Sequence, residues 1–239
     1  MLSNECSLRF GPLTRGVFLQ RDNRFRTQVR LDGDTGSVAA YLPNPGRLQE
    51  LLVPGRTVLL RSAKPVRQRR TAYDLCLIEA YKDVWVSLDS RLPNSLVAQV
   101  LTCGGLTGLE MYAEFQREVT FGASRLDFLL TGHEPHCWLE VKSVTLVEGE
   151  TAAFPDAPTK RGQRHVRELQ SAVDAGARAM VLFVVQREDA RRFTSHDATD
   201  PAFGAALRAA ADAGVEVRAL RCGVTPEMIQ PLDEIPVVL

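Results

Sequence analysis

The sequence predicts two domains, a small β barrel followed by an α/β domain with helices on the faces of a sheet. Short apolar runs separated by turn residues fill the first part of the chain, and helical segments alternate with strands after it. With 239 residues, 45% of them hydrophobic, the chain can bury two modest cores. We predict a boundary after residue 84, which gives domains of residues 1–84 and 85–239.

The first domain is predicted to be a Greek-key barrel of the OB type. Asp32-Gly33 is a hairpin signal between two strands, and a short helix is predicted over residues 47–52. Several strands with one interposed helix in about 80 residues are typical of that barrel. The predicted strands are residues 16–20, 24–31, 37–42, 56–61 and 73–79.

The second domain is predicted to contain a sheet covered by helices. Asn94 is a candidate N-cap for its first helix, and Gly104-Gly105 would end that helix. Predicted helices cover residues 94–103, 159–175 and 201–213, and predicted strands cover 115–121, 125–130, 137–146, 179–185 and 215–220. This alternation of helices and strands is typical of α/β domains.

Charge is distributed unevenly, although the formal net charge is zero. Residues 1–82 carry 14 Lys and Arg against 7 Asp and Glu, and the remaining residues carry 15 against 22. The basic loop Lys64-Pro-Val-Arg-Gln-Arg-Arg70 belongs to the first set. The division fits an anion-binding module joined to a cation-holding one, and it fits two solvated surfaces equally well.

The sequence also excludes some classes of protein. Apolar runs are too short to span a bilayer, and the first ten residues lack a signal-peptide pattern, so we expect a soluble, cytoplasmic protein without a membrane partner. Its five cysteines are scattered and never form a Cys-x-x-Cys pair, which argues against a disulfide framework and against a zinc site.

Three charged residues in the second domain carry the chemical prediction. Side chains alternate along a strand, so Glu140 and Lys142 should project from one face. Asp127 lies in an otherwise apolar strand, where a carboxylate is costly unless a cation meets it. An Asp followed by Glu-x-Lys is the pattern of PD-(D/E)xK nucleases, in which carboxylates hold Mg²⁺ or Mn²⁺ and a lysine helps to activate water. Glu118 is a candidate third metal ligand, and an edge-facing surface position is the equally weighted alternative.

A basic helix follows this pattern along the chain. Arg161 and His165 fall on one helical face at an offset of four residues, and Lys160 stands at the start of that helix. A basic helix edge beside a metal site suits phosphate contacts. The alternative is an ordinary amphipathic helix with a solvated charged face, and Glu-x-Lys alone is often only a surface ion pair.

Longer motifs are distributed over nearly the whole chain. They are Asn23-Arg-Phe25, Pro43-Asn-Pro-Gly-Arg-Leu48, Gly122-Ala-Ser-Arg-Leu-Asp-Phe128, Glu140-Val-Lys-Ser-Val144, Phe154-Pro-Asp-Ala157 and Arg161-Gly-Gln-Arg-His165. These strings resemble those of the sugar fermentation stimulation protein family, SfsA. The resemblance implies an N-terminal OB-type domain, a C-terminal nuclease-like domain, DNA binding and an association with the regulation of sugar genes, chiefly those of maltose metabolism. Asp127, Glu140 and Lys142 match the acidic and lysine positions of the nuclease-like motif.

Two functions remain open from the sequence. The chain is either a Mg²⁺-dependent nuclease or a non-catalytic DNA-binding regulator that keeps the nuclease-like geometry as a binding surface. In the first case the barrel would grip a single strand with arginines and with aromatics such as Phe18, Phe25 and Tyr41. The candidate nucleic-acid contacts are Arg24, Asn44, Arg47, Arg125, Lys160, Arg161 and His165. Asp156 is a candidate helix-start residue, and the alternative is that its side chain reaches the metal site.

Overall fold

The computed structural model describes residues 6–63 and 70–239, so most of the predicted basic loop lies outside the described residues. The helices are α1 (Leu92–Thr102), α2 (Lys160–Asp174) and α3 (Pro201–Asp212). The strands are β1 (Leu8–Arg9), β2 (Thr14–Asn23), β3 (Arg26–Leu31), β4 (Val38–Tyr41), β5 (Thr57–Ser62), β6 (Tyr73–Tyr81), β7 (Val84–Ser87), β8 (Glu114–Phe121), β9 (Ser124–Thr131), β10 (Cys137–Val144), β11 (Val147–Glu148), β12 (Thr151–Phe154), β13 (Arg178–Val185), β14 (Arg192–Ser195), β15 (Glu216–Val224), β16 (Met228–Glu234) and β17 (Val237–Val238).

Five strands of the first domain close into a barrel. The ring runs β2, β3, β4, β6, β5 and back to β2, and the parallel β4–β6 pairing closes it. Alternate residues such as Phe18, Val29 and Leu60 point inward and are fully buried. The predicted barrel is confirmed. Phe18 belongs to its core, so the prediction that Phe18 contacts nucleic acid is wrong.

The turn between β2 and β3 differs from the prediction. Residues 24–31 were expected to be one strand, but Arg24 and Phe25 form the turn, and β3 begins at Arg26. The Asn23 side chain accepts a hydrogen bond from the Phe25 N–H at 3.0 Å and so stabilises a turn that neither glycine nor proline marks in the sequence.

The short helix predicted over residues 47–52 is absent. Leu48 has a φ of +54°, which a right-handed helix does not permit, and the N–H groups of Leu51 and Leu52 both donate to the Leu48 carbonyl. The Leu48 N–H donates to the Asp156 carboxylate of the second domain at 3.3 Å. A hydrogen-bonded turn anchored by the other domain therefore replaces the helix.

A seven-stranded mixed sheet forms the centre of the second domain. Its order is β1-β16-β15-β13-β10-β9-β8, with parallel pairing of β10 to β13 and of β13 to β15. A smaller sheet contains β11, β12, β14 and β17. The apolar residues of α1 pack on one face of the large sheet, and those of α2 and α3 pack on the other. The predicted α/β class is confirmed.

One buried carboxylate links the starts of α2 and α3. Asp200 is the N-cap of α3 and accepts a hydrogen bond from the Phe203 N–H. Its other oxygen accepts from the N–H of Thr159, the N-cap of α2, at 2.8 Å. Gln163 donates to the same carboxylate at 3.0 Å. The two helices are thus fixed to each other at their N-termini.

The two domains share apolar contacts and strands. The core cluster around α1 includes Leu59, Cys76 and Leu77 of the barrel. Strand β1 pairs with β16 of the large sheet, and β7, which starts at residue 84, pairs with β6 of the barrel. The division into residues 1–84 and 85–239 stays a prediction. Within residues 6–63 and 70–239, no helix is long and apolar enough to cross a membrane.

Candidate functional site

The two central strands of the predicted site separate at Asp127. Strand β9 pairs with β10 from Cys137 to Leu139, and the last paired residue of β9 is Phe128. At the next position the Asp127 carboxylate accepts the Val141 N–H at 2.8 Å. Since Val141 stands between Glu140 and Lys142, this hydrogen bond brings all three predicted catalytic residues to one place.

Asn94 also belongs to this site, and the sequence did not reveal it. Helix α1 begins at Leu92, with Arg91 at the N-cap position, so the prediction that Asn94 caps the helix is wrong. Asn94 lies in the first turn and donates from Nδ2 to Asp127 Oδ1 at 2.6 Å. Only the packing of α1 against the large sheet brings these two side chains together, which the sequence pattern does not encode.

Glu140 is buried, and within the described residues one of its oxygens has hydrogen-bond partners and the other has none. Its exposure is 2%, and its Oε1 contacts both Lys142 Nζ and His165 Nδ1. Glu140 and Lys142 meet on one face, as the alternation of strand side chains predicts. The Oε2 atom is buried without a hydrogen-bond partner in the described part of the chain. A buried carboxylate oxygen in this state is costly, so it is a candidate cation ligand.

The two carboxyl groups have opposite protonation tendencies. Burial, together with the charge of Glu140, raises the pKa of Asp127 from 3.8 to about 6. Burial would also raise the pKa of Glu140, but Lys142 and His165 outweigh it and lower that pKa to about 2. Two neighbouring carboxylates with one raised pKa are typical of sites that hold a cation or move protons.

His165 supports Glu140 instead of facing solvent. It is 2% exposed, and its Nε2 accepts from Arg161 Nε at 3.2 Å. Because Nε2 accepts, Nδ1 carries the proton that is donated to Glu140. The prediction that His165 contacts nucleic acid is therefore wrong, since both of its ring nitrogens are engaged inside the protein.

Glu118 does not join the candidate metal ligands. It adopts a φ of +58° in β8, and its exposed carboxylate pairs with Arg125 Nε at 2.6 Å. The prediction of a third ligand at this position is wrong, because the side chain turns outward to a cation of the neighbouring strand. Arg125 is exposed as expected, in an ion pair that the sequence did not suggest.

The Pro43-Asn-Pro-Gly-Arg-Leu48 loop of the barrel meets the loop before α2. Asn44 is buried, accepts the Gly46 N–H at 2.9 Å and donates to the Leu88 carbonyl at 3.1 Å. The prediction that Asn44 contacts nucleic acid is wrong, because its amide is used to hold the loop. Asp156 does not start the helix, since Thr159 caps α2, and it packs against Gly46, where a Cβ atom would lie 2.3 Å from Asp156 Oδ2.

Four basic candidates remain at the surface around this site. Arg24 and Arg47 are exposed on the barrel, and Lys160 and Arg161 are exposed on the first turn of α2. An interdomain cleft of about 210 Å³ lies between these loops. Arg24 and residues 44–46 line it from the barrel, and residues 143–146 and 153–159 line it from the second domain.

The described residues contain no group of three or more His, Cys, Asp and Glu side chains arranged to hold a metal ion. The protein ligands available at Asp127 are therefore two carboxylates. Mg²⁺ is commonly held by one or two carboxylates with retained waters, so a pair is sufficient for that ion.

We expect Asp127→Asn to stabilise the chain in EDTA at pH 7 to 8. The raised pKa means that ionising Asp127 above about pH 6 costs folding free energy, whereas the cost disappears below about pH 4. The variant should be more stable than wild type by about 2 to 3 kcal/mol at neutral pH, and the difference should vanish on acidification. Urea unfolding between pH 4 and 8 measures this.

Asp34→Asn, at an exposed position, is the control and should change the unfolding free energy little at any of these pH values. If Asp127→Asn were less stable than wild type at pH 7, the hydrogen bonds from Val141 and Asn94 would outweigh the cost of burying the charge.

Comparison with known proteins places this chain and its fold in a family. The profile described as "Sugar fermentation stimulation protein RE domain" matches residues 91–228, and that described as "SfsA N-terminal OB domain" matches residues 19–88. The fold thus defines a class in which an OB barrel accompanies a mixed α/β domain.

Individual relatives cover nearly the whole chain. A sugar fermentation stimulation protein homolog of Moorella thermoacetica is 46% identical over 228 residues, which cover 95% of this chain and 97% of the relative. A homolog of Geobacter sulfurreducens is 43% identical over 229 residues, with coverage of 95% and 97%. The chain belongs to the sugar fermentation stimulation protein family.

A solved structure of the family agrees with the fold. It is described as Pyrococcus furiosus SfsA in complex with Ca²⁺, and it is 32% identical to this chain. The two structures superpose with a TM-score of 0.86 over 97% of this chain and 98% of the other.

Proposed function

We propose that this chain is a nucleic-acid-binding protein with a divalent-metal-dependent, nuclease-type phosphodiester site, and that DNA is its substrate class. The observation that carries the proposal is the buried Oε2 of Glu140, which has no hydrogen-bond partner among residues 6–63 and 70–239, beside Asp127, whose pKa is raised. Both features are what a pair of carboxylates would have if a cation normally neutralised them.

The residues present fit a divalent ion such as Mg²⁺ or Mn²⁺. Asp127 and Glu140 would hold it, since each carboxylate retains oxygen lone pairs that its hydrogen bonds do not use. When bound, such an ion stabilises the charge that develops on a phosphate. The Pyrococcus furiosus relative was solved in complex with Ca²⁺, which supports a divalent site in this family, because Ca²⁺ and Mg²⁺ both take oxygen ligands.

The surrounding residues of the chain have separate roles in this proposal. Lys142 contacts Glu140 as a cation and would donate a hydrogen bond that orients an attacking water beside the phosphate. His165 is a positioning residue, since it holds the Glu140 carboxylate through a buried hydrogen bond. Asn94 orients Asp127 in the same way.

A regulator without catalysis is the alternative function. It is favoured by the name of the relatives, which refers to sugar fermentation and not to hydrolysis. In that case the acidic pair would serve only as a binding surface, although carboxylates placed near phosphates without a metal would weaken binding.

The deciding experiment uses the purified full-length chain. Labelled single- and double-stranded DNA and RNA are incubated with Mg²⁺, Mn²⁺ or EDTA, and products are separated by size. We expect cleavage with a divalent ion and none in EDTA. Binding without cleavage under every metal condition would exclude the nuclease and leave the regulator.

Nucleic-acid affinity should fall steeply as salt increases, and the exposed arginines of the barrel should contribute to that dependence. We expect Arg24→Ala and Arg47→Ala each to weaken binding and to reduce the slope of log K against log salt by about 0.7 to 0.9. Titrations in EDTA at several salt concentrations measure both quantities. Arg15→Ala is the control, because Arg15 pairs with Asp32 and should contribute little. Unchanged slopes in both variants would show that residues other than Arg24 and Arg47 bind the phosphates.

A further inference from the structure

An exposed aromatic surface lies at the tip of the β2–β3 hairpin. Phe25 is 42% exposed, although most large apolar side chains of the barrel are buried. Its ring lies 6.2 Å from that of Tyr41, with an interplanar angle of 31°. The Phe25 N–H donates a hydrogen bond to the Asn23 side chain, and this bond stabilises the turn. The exposed ring of Phe25 is therefore attached to a backbone that is held in place.

A cation accompanies this surface. The Arg24 guanidinium carbon lies 5.9 Å from the centroid of the Phe25 ring, and Arg24 Nε donates to the Pro45 carbonyl at 3.2 Å. Within residues 6–63 and 70–239, no carboxylate forms a salt bridge with Arg24. Arg21 supports the same turn by donating to the Arg24 carbonyl at 2.7 Å. A positive charge beside an aromatic face suits a ligand that offers both phosphates and flat rings.

The aromatic surface is continuous with the interdomain cleft. Arg24, next to Phe25 in the chain, lines that cleft, and Ser143 lines its opposite side. Ser143 directly follows Lys142 in β10, so the cleft ends one residue along the chain from a candidate catalytic residue, although Asp127, Glu140 and Lys142 themselves do not line it.

We propose that Phe25 and Tyr41 form a base-stacking surface that makes this chain select single-stranded nucleic acid over duplex. The inference deepens the proposed function and rests on it. Unpaired bases can turn a free face toward an aromatic ring, whereas the base faces inside a duplex are covered by their neighbours. The first hairpin loop of an OB barrel, where Phe25 stands, is also a usual contact of oligonucleotides.

The charge of the first domain agrees with this occupant. Residues 1–82 carry twice as many basic as acidic side chains, 14 against 7, which suits a polyanion better than an apolar peptide.

The experiment measures equilibrium binding of the full chain in EDTA, so that cleavage does not interfere. Labelled single-stranded DNA, single-stranded RNA and duplex DNA of about 15 units are compared at one salt concentration. We expect wild type to favour single strands. Phe25→Ala should weaken single-strand binding by about 5- to 150-fold, as the loss of one stacked base predicts, and should leave duplex binding unchanged.

Two substitutions separate stacking from general apolar contact. Phe25→Trp keeps an aromatic face and should retain single-strand affinity, whereas Phe25→Leu keeps apolar area without that face and should behave like Phe25→Ala. Met111→Ala is the control, because Met111 is 45% exposed on the second domain and should not affect binding. Circular dichroism and thermal unfolding verify that each variant is folded.

The salt dependence distinguishes the two kinds of contact. Phe25→Ala should leave the slope of log K against log salt unchanged, since the side chain neutralises no phosphate, whereas Arg24→Ala should reduce it by about 0.7. Equal affinity of wild type for single strand and duplex, or no effect of Phe25→Ala, overturns the stacking inference while cleavage is decided separately. If wild type binds neither nucleic acid, both the inference and the proposed function fail. Metal-dependent cleavage of duplex alone refutes only the inference.

Discussion

Replacing any one of the three central charged residues should abolish or strongly reduce metal-dependent cleavage. Asp127→Ala and Glu140→Ala each remove a proposed ligand, so the ion should be lost and cleavage should become undetectable. Lys142→Ala should leave the ion bound and lower the rate by about a hundredfold or more, on the order of 3 kcal/mol of barrier. Single-turnover cleavage and calorimetric titration with Mn²⁺ measure the two effects separately.

Glu118→Ala is the matched control for this series. Glu118 is an acidic residue in the strand beside Asp127, but its carboxylate is exposed and pairs with Arg125. The Glu118→Ala variant should therefore cleave nucleic acid at the wild-type rate. Cleavage that all three central variants retain in full would show that a contaminating nuclease, and not this site, is responsible.

His165→Ala should show whether His165 acts only by positioning the Glu140 carboxylate for metal binding. Without its hydrogen bond, the Glu140 carboxylate loses one of the two partners of Oε1, so Mn²⁺ affinity should fall by about 10- to 100-fold. Cleavage should then be partly restored at high Mn²⁺ concentration. No such rescue is expected for Glu140→Ala, because that variant lacks the ligand itself.

Asp200→Ala should cause a large loss of stability. Asp200 is 4% exposed and accepts hydrogen bonds from Thr159, the N-cap of α2, and from Gln163 and Phe203 in the first turns of α2 and α3. Removing a helix cap costs about 1 kcal/mol, and leaving further buried donors unpaired adds about 1 to 3 kcal/mol, so we expect a loss of about 3 to 4 kcal/mol. Urea unfolding with an unchanged m-value measures it.

A nearby aspartate provides the comparison for Asp200. The side chain of Asp197 is 44% exposed and pairs with Arg208 at 2.7 Å, so Asp197→Ala should cost less than about 1 kcal/mol. Asp200→Asn keeps one acceptor oxygen and should lie between the two. Similar losses in Asp197→Ala and Asp200→Ala would show that the shared cap contributes little beyond an ordinary surface contact.

Much of the fold follows from local sequence patterns. The strong amphipathic pattern of α2 and the continuous apolar run of β13 appear at the predicted places, because burial against one sheet imposes those patterns. The helix predicted over residues 47–52 failed for a nonlocal reason. Leu48 is held at positive φ in a turn whose N–H is bonded to Asp156, 108 residues away in the chain.

The candidate site likewise combines contacts that a local sequence pattern predicts with contacts that depend on tertiary packing. Glu140 and Lys142 meet because alternate residues of one strand share a face, which two positions in the sequence are enough to predict. Asn94 and His165 join them only through the packing of α1 and α2 on opposite faces of the sheet. His165 looked like a surface base in the helix pattern, because the pattern does not reveal that Glu140 lies beneath it.

Because β1 pairs with β16, β1 belongs to the large sheet, whereas the strands that follow it, β2 to β7, form the barrel sheet, and the chain returns to the second domain at α1. The barrel is therefore an insertion between β1 and the rest of the second domain. Cutting the chain near residue 84 would remove β1 from the second domain and expose the edge of β16, where Ile229 is fully buried. A truncation that is meant to isolate the second domain should therefore keep β1, which supplies the pairing partner of β16.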